Sequence, residues 1–151
     1  MRIKAVDVDK NGYCYRNAKN EDYSIIADLL SSEFGISLSY DNYVKLLAIE
    51  DILFIVALDD GVCFGFISSE IQNDYFSGRK RMFIKYGAVR SEYRNKGVYK
   101  HLVETIKNKA IEEKASSIEL TCAMHRSESH KFYFNNGFTI KKTFVFINEL
   151  K

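Results

Sequence analysis

Val89-Arg90-Ser91-Glu92-Tyr93-Arg94-Asn95-Lys96-Gly97-Val98-Tyr99 is the stretch on which the reading of this chain turns. It follows a strand-like segment, residues 82–89. It precedes the longest amphipathic segment, 98–113, in which Val98, Leu102, Val103, Ile106, Ala110 and Ile111 recur at helical spacing. A strand, a turn and a helix are expected in that order. The turn contains a conflict: Arg90, Arg94, Lys96 and Lys100 crowd the start of a helix, where the macrodipole is already positive and each cation costs roughly 0.3–1 kcal/mol. Local rules give way most readily where function asks it. An anion held by the unpaired N–H groups of the first helical turn resolves the conflict, and Gly97 lets a phosphate approach the backbone closely. A solvated basic patch, with Gly97 as an ordinary turn residue, is the alternative this segment leaves standing.

Outward from the turn, the pattern is that of a mixed α/β domain. Asn11-Gly12, between 2–8 and 13–16, suits a tight hairpin turn. Asn20 is expected to cap a helix with Glu21 and Asp22 in its first turn and Ile26, Leu29, Leu30 and Phe34 along one face. A shorter helix is expected over 40–49, with Val44, Leu47 and Ala48 inward. Runs 52–58 and 62–70, joined by Asp59-Asp60-Gly61, read as a hairpin of strands with Phe64, Phe66, Ser68 and Glu70 on one face. The polar stretch 72–80 reads as a loop. After the long helix, 117–123 alternates like a strand, 129–135 forms a short helix stopped by Asn136-Gly137, and 138–147 supplies a closing strand or strand pair. Helices on both faces of a mixed sheet follow from this order.

The bulk properties exclude much. At 151 residues the chain predicts one domain, 1–151, able to bury roughly 70% of its unfolded surface. Its 46% hydrophobic and 28% charged residues are globular values rather than those of a disordered chain. The longest apolar run, 52–58, is far too short to span a membrane, and no signal-peptide core opens the sequence. Three scattered cysteines and no disulfide pattern predict a reducing, cytoplasmic setting. The net charge of +2 conceals 6 Lys/Arg against 13 Asp/Glu in residues 1–75, and 16 against 7 in residues 76–151. A polyanionic ligand for the basic half, a cationic one for the acidic half, and mutual neutralisation of the two all fit.

Two motifs then carry a resemblance. Tyr93-Arg94-x-Lys96-Gly97 followed by the amphipathic helix resembles the acetyl-CoA signature of the GNAT superfamily of N-acetyltransferases, Arg/Gln-x-x-Gly-x-Gly/Ala after a strand. Tyr99 stands where that family usually has Gly or Ala. His125-Arg126-x-x-Ser129-His130-x-Phe132-Tyr133-x-x-x-Gly137-Phe138 is similar to the family's closing motif, with Arg126 in the usual Asn position and Ser129 in the usual Ala position. Together they cover residues 82–138. The resemblance implies a GNAT-like fold: a central, mixed, mostly antiparallel twisted sheet of about six to seven strands with helices on both faces. It implies acetyl-CoA as the acyl donor. Ala88 and Val89 would bond the pantetheine arm through their backbone, Arg94, Asn95, Lys96, Gly97, Val98 and Tyr99 would surround the pyrophosphate, and Arg126, Ser129 and Phe132 would complete the donor site. Tyr133 would be the general acid that protonates the departing thiolate, a role suited to a phenol within hydrogen-bond reach.

The general base is less legible. Lys85 occupies the position at which several relatives carry a glutamate, and an ammonium group accepts no proton. Glu70 is the tentative base, Glu119 a second carboxylate candidate, and a water relay serves equally. Cys122, His125 and His130 match no common zinc site, so no metal is expected. The expected activity is direct acetyl transfer, in a ternary complex, from acetyl-CoA to a primary amine of a small molecule or peptide. A CoA-binding regulatory domain without turnover and the transfer of another acyl group are the alternatives. No nucleic-acid partner is expected, because the cations gather at one helix start rather than forming a stripe. No membrane partner is expected, and a homodimer is left open.

Overall fold

The structure, a computed structural model, describes all residues 1–151. They divide into two compact units, 1–121 and 122–151. The first is a six-stranded sheet in the order β1-β2-β3-β4-β5-β6. Its strands are β1 (Asp7–Val8), β2 (Cys14–Asn17), β3 (Ile52–Asp59), β4 (Val62–Asp74), β5 (Arg79–Val89) and β6 (Ser117–Leu120). The first five pair antiparallel, and β6 joins β5 in parallel after the crossover helix. The helices of this unit are α1 (Tyr23–Phe34), α2 (Tyr40–Ala48) and α3 (Val98–Glu112).

Alternation along β4 assigns the two faces. Phe66 packs with Phe54, Val56 and Ala88 against Ile26, Leu29 and Leu30 of α1 and Tyr43 of α2. Ile67 and Gly87 point the other way, toward α3, whose Val98, Leu102, Val103, Ile106 and Ala110 are buried. Helices therefore cover both faces of a mixed, mostly antiparallel sheet, as expected.

Several local expectations are corrected. The polar stretch 72–80 is no loop: β4 and β5 run on as a hairpin, and only residues 75–78 turn. Ladder bonds need no apolar side chains, and cross-strand contacts such as Arg81 Nε donating to Gln72 Oε1 at 2.7 Å suffice. Asn20 does not cap α1 but lies in the 3-10 turn Asn20–Asp22. Asp22 takes the Lys19 N–H at 2.8 Å and two Arg16 donors at 2.7 and 3.1 Å, which ties the start of α1 to β2. A one-residue irregularity between Gly65 and Cys63 sends the Phe64 ring onto Tyr93 and Tyr13, away from the Cys63–Phe66 face. Ala48 and Ile111, expected inward, are exposed, and the buried residue of α2 is Tyr43.

The second unit holds one helix, α4 (Ser127–Asn135), closed by Gly137 at φ 88°. The expected strand at 117–123 stops at Leu120. The expected closing strand over 138–147 is not formed: that segment has no ladder, and Phe144, Val145, Phe146 and Ile147 lie 81–91% exposed.

Candidate active site

The turn between β5 and α3 is anchored on three sides. Tyr93 stacks on Phe64 with ring centroids 3.8 Å apart and donates its hydroxyl to Asp59 Oδ2 at 2.8 Å. Arg94 reaches back to the Val89 carbonyl at 3.2 Å and pairs with Glu33 at the end of α1 at 2.6 Å. Asn11, at the tip of the first hairpin, donates to the Lys96 carbonyl at 3.0 Å. The Arg94 side chain, expected to face the pyrophosphate, is thus engaged within the protein, and what it contributes to the turn is shape. Asn95 and Gly97 both adopt left-handed conformations, at φ 62° and 76°, a region Asn tolerates and Gly enters freely.

That shape presents an uncapped helix start. The first helical bond of α3 is His101 N–H to the Gly97 carbonyl at 3.0 Å, so Val98, Tyr99 and Lys100 have N–H groups with no acceptor inside the helix. No side chain caps this end, and no acidic residue stands in its first turn. A Cβ built on Gly97 would meet nothing within 4 Å. The space beside Gly97 is open, Lys96 and Lys100 lie in the same stretch of chain, and a helix start of this kind suits an anion.

His101 ties this helix start to the first hairpin. It stacks on Tyr15 at 4.0 Å and bonds Asp7 at 2.7 Å. The Tyr15 hydroxyl in turn donates to Asp9 at 2.7 Å. Burial pushes Tyr15 above the ordinary phenol range, and its bond to Asp9 adds to this. At Asp9 burial acts upward, but the bonds from Tyr15, Tyr13 and Asn11 outweigh it and hold the carboxyl below 3.8. Glu33 with Arg94, and Asp7 with His101, are contacts in which the acidic half of the chain meets the basic half.

Below the turn, β5 has an open edge. β6 pairs with it only from Arg81 to Ile84, so the ladder on that side ends where Lys85 begins. The Ala88 carbonyl lies 3.2 Å from where a Cβ of Gly65 would stand, which turns it toward β4. Outward-directed groups along this edge therefore come from its neighbours Gly87 and Val89. The pairing of β4 with β5 slips between Ser68 and Ser69, leaving Lys85 as an extra residue. Its ammonium lies 3.5 Å from Glu70 Oε2. The two positions weighed for the base are thus an ion pair. Glu119 is engaged as well, by Arg81 and Ser117, both at 3.1 Å.

Within the second unit, α4 carries Ser129, Phe132 and Tyr133, with Arg126 immediately before it. The Tyr133 ring packs edge-on against Phe132 at 5.2 Å and Phe138 at 5.3 Å. Its carbonyl accepts the N–H groups of Asn136 and Phe138, which sets the tight stop of the helix. His130 bonds the Ala123 carbonyl at 2.8 Å, and no group of three or more His, Cys, Asp or Glu gathers in a way that could hold a metal.

The family model for the Acetyltransferase (GNAT) family matches residues 23–138, which takes in both the turn and the Tyr133 segment. The chain belongs to the GNAT acetyltransferases. As a member it is an N-acetyltransferase, and its sheet and helices superpose on solved structures of that kind. An aminoglycoside acetyltransferase from an uncultured soil metagenomic sample matches with a TM-score of 0.81 at 19% identity, over 94% of this chain and 99% of that one. The structure of AAC(6')-Iy with the bisubstrate analogue CoA-S-monomethyl-acetylneamine matches at 0.78 and 17%, over 92% and 99%. A ribosomal-protein-alanine N-acetyltransferase from Brucella melitensis biovar Abortus 2308 matches at 0.74 and 21%, over 97% and 100%. At such identities the shared property is the fold. No curated protein matches this GNAT chain in sequence.

Sequence reasoning missed Glu33 and Gly87. Nothing local pairs Glu33 with Arg94, which lies 61 residues away. Gly87 did carry a signal, a lone glycine inside a strand pattern, which marks a bulge or a close approach. Tyr13, Tyr15 and Tyr43 are buried core. No helix is long and apolar enough to cross a membrane.

Proposed function

We propose that this chain transfers the acetyl group of acetyl-CoA directly to a primary amine of a small molecule or peptide while donor and acceptor are both bound, with both units of the chain serving as one acetyltransferase domain. The observation that carries the reading is the start of α3: N–H groups without helical acceptors, no side-chain cap and a bare Gly97. This is chemistry suited to a pyrophosphate. Asn95, Lys96, Gly97, Val98 and Tyr99 hold the pyrophosphate, with Arg94 shaping their turn. The backbone around Ala88 and Val89 takes the pantetheine arm, and Arg126, Ser129 and Phe132 belong to the donor site. The solved relatives include one named for aminoglycosides and one for a ribosomal-protein alanine, which supports an amine acceptor of either size.

The chemistry balances as follows. The amine nitrogen attacks the thioester carbonyl, and its surplus proton passes to Glu70, directly or through water. An N–H at the open edge of β5 steadies the oxyanion. The carbon–sulfur bond then breaks, and Tyr133 protonates the thiolate, giving the acetylated amine and free CoA; Glu70 releases its proton to solvent and Tyr133 takes one back, which restores the enzyme. The three cysteines are free thiols, which supports a cytoplasmic setting.

The ion pair of Glu70 with Lys85 favours a second reading, a domain that holds CoA without turnover. Thermal-shift titration with CoA tests what the two share: a ligand at 100 times its Kd adds roughly 2.7 kcal/mol, and no shift at millimolar CoA sinks both. A screen of polyamines, aminoglycosides, amino acids and peptide amines by thiol release then separates them. Turnover establishes the enzyme, and tight binding with no acceptor in the screen selects the regulatory domain.

A further inference from the structure

Gly87 stands inside β5 with a backbone conformation open to any residue, so conformational freedom does not explain it. The space around it does. A Cβ at this position would lie 2.7 Å from Tyr99 Cε1, 2.9 Å from the Tyr99 phenol oxygen and 3.2 Å from Ile67 Cγ1. The first two approaches are closer than packed atoms come. The tyrosine ring therefore rests on the bare backbone of the strand, and the glycine is the space that admits it.

The location gives this contact its meaning. Tyr99 is the second residue of α3, beside the N–H groups that have no acceptor inside the helix, and its ring reaches the strand whose outer edge carries no β6 ladder from Lys85 to Val89. An elongated ligand with its anionic end at the start of α3 and its body along that edge runs past this ring. We propose that Tyr99 is a donor-positioning residue. Its ring, seated on Gly87, is the wall against which the pantetheine arm of the acyl donor packs. The inference rests on reading the site as a coenzyme A site, and it accounts for the departure at position 99. A large side chain replaces the usual small one, and the strand opposite gives up its side chain to make room.

The test compares two ligands, CoA and its adenosine bisphosphate half, which lacks the arm, by calorimetric titration of the full chain. Tyr99→Ala is expected to weaken CoA about tenfold or more, as loss of a packed aromatic face should, and to change the bisphosphate by less than about twofold, because residue 99 meets the anion through its backbone N–H, which alanine keeps. Tyr99→Phe keeps the ring and should stay within about threefold of the parent for CoA. Gly87→Ala, which the backbone accepts, should displace the ring and weaken CoA alone. The double variant Gly87→Ala/Tyr99→Ala should bind CoA no more weakly than Tyr99→Ala, because the clash is then gone. If Tyr99→Ala does not fold, Gly87→Ala and Tyr99→Phe decide. Unchanged CoA affinity in Tyr99→Ala, equal losses for both ligands, or additive effects in the double variant would overturn the proposal while leaving the coenzyme A site standing. A parent protein that binds no CoA overturns both.

Discussion

Residues 52–58 and 144–147 read alike: each is a short, wholly apolar run that includes Phe, Ile and Val. In the first unit the run becomes β3, with Leu53 to Leu58 at most 6% exposed. In the second it forms no ladder, and no residue of 122–151 is buried. The contrast teaches that an apolar β-forming run is only a request for partners. A helix makes its hydrogen bonds within its own segment, whereas a strand takes them from another part of the chain. β3 lies between β2 and β4, which answer it on both sides.

The largest expected effect tests whether the unit without a core nonetheless carries chemistry. Tyr133→Phe should cut turnover by about 10²–10⁴-fold, the range of a positioned acid, with CoA affinity and melting temperature nearly unchanged. Thiol-release kinetics beside a thermal melt decide, and full activity would move the acid elsewhere. In the first unit, Phe66→Ala should lower stability by about 3–5 kcal/mol, since its ring is fully buried against Phe54 and the α1 face. A urea titration giving under about 1 kcal/mol would contradict the core described.

Gly97→Val should abolish CoA binding and lower stability by about 1–2 kcal/mol, because valine resists the left-handed conformation at φ 76°. A variant that does not fold would make the glycine structural and remove it from the phosphate site. A smaller effect concerns pH. The folded pKa of Asp9 is depressed below 3.8, so its contribution is present above the unfolded value and is lost as pH falls through the folded one. Asp9→Asn should flatten the acid limb of stability below about pH 4, and an unchanged limb would assign the acid loss to other carboxylates. The smallest effect sharpens the opening contrast: Phe146→Ser should change stability by no more than about 0.5 kcal/mol. A loss of several kcal/mol would show that the second run finds a partner after all.

Much of the site was legible because it is local. The excess of cations before Val98, the bare Gly97 and the apolar spacing of α3 all lie within one stretch, and a helix start needs only its own backbone to become an anion site. The His125–Phe138 motif was legible in the same way. The partners were not. Glu33 on Arg94, Glu70 on Lys85 and Asn11 on the Lys96 carbonyl join residues far apart in the chain. The slip at Ser68 that frees Lys85 is a property of two strands together.

By itself, then, the sequence determined the family, the order of helices and strands as far as α4, the place of the proposed phosphate turn and the tyrosine offered as the acid. The elements and the turn follow from spacing and composition, which act over a few residues, and the family and the tyrosine follow from the resemblance of two motifs. Only the tertiary structure decided which strand-like runs became strands, where the edge of β5 opens, what each carboxylate is paired with, and why a glycine faces Tyr99. These depend on which distant segments meet, and sheet pairing and side-chain packing are set by that meeting rather than by any one segment.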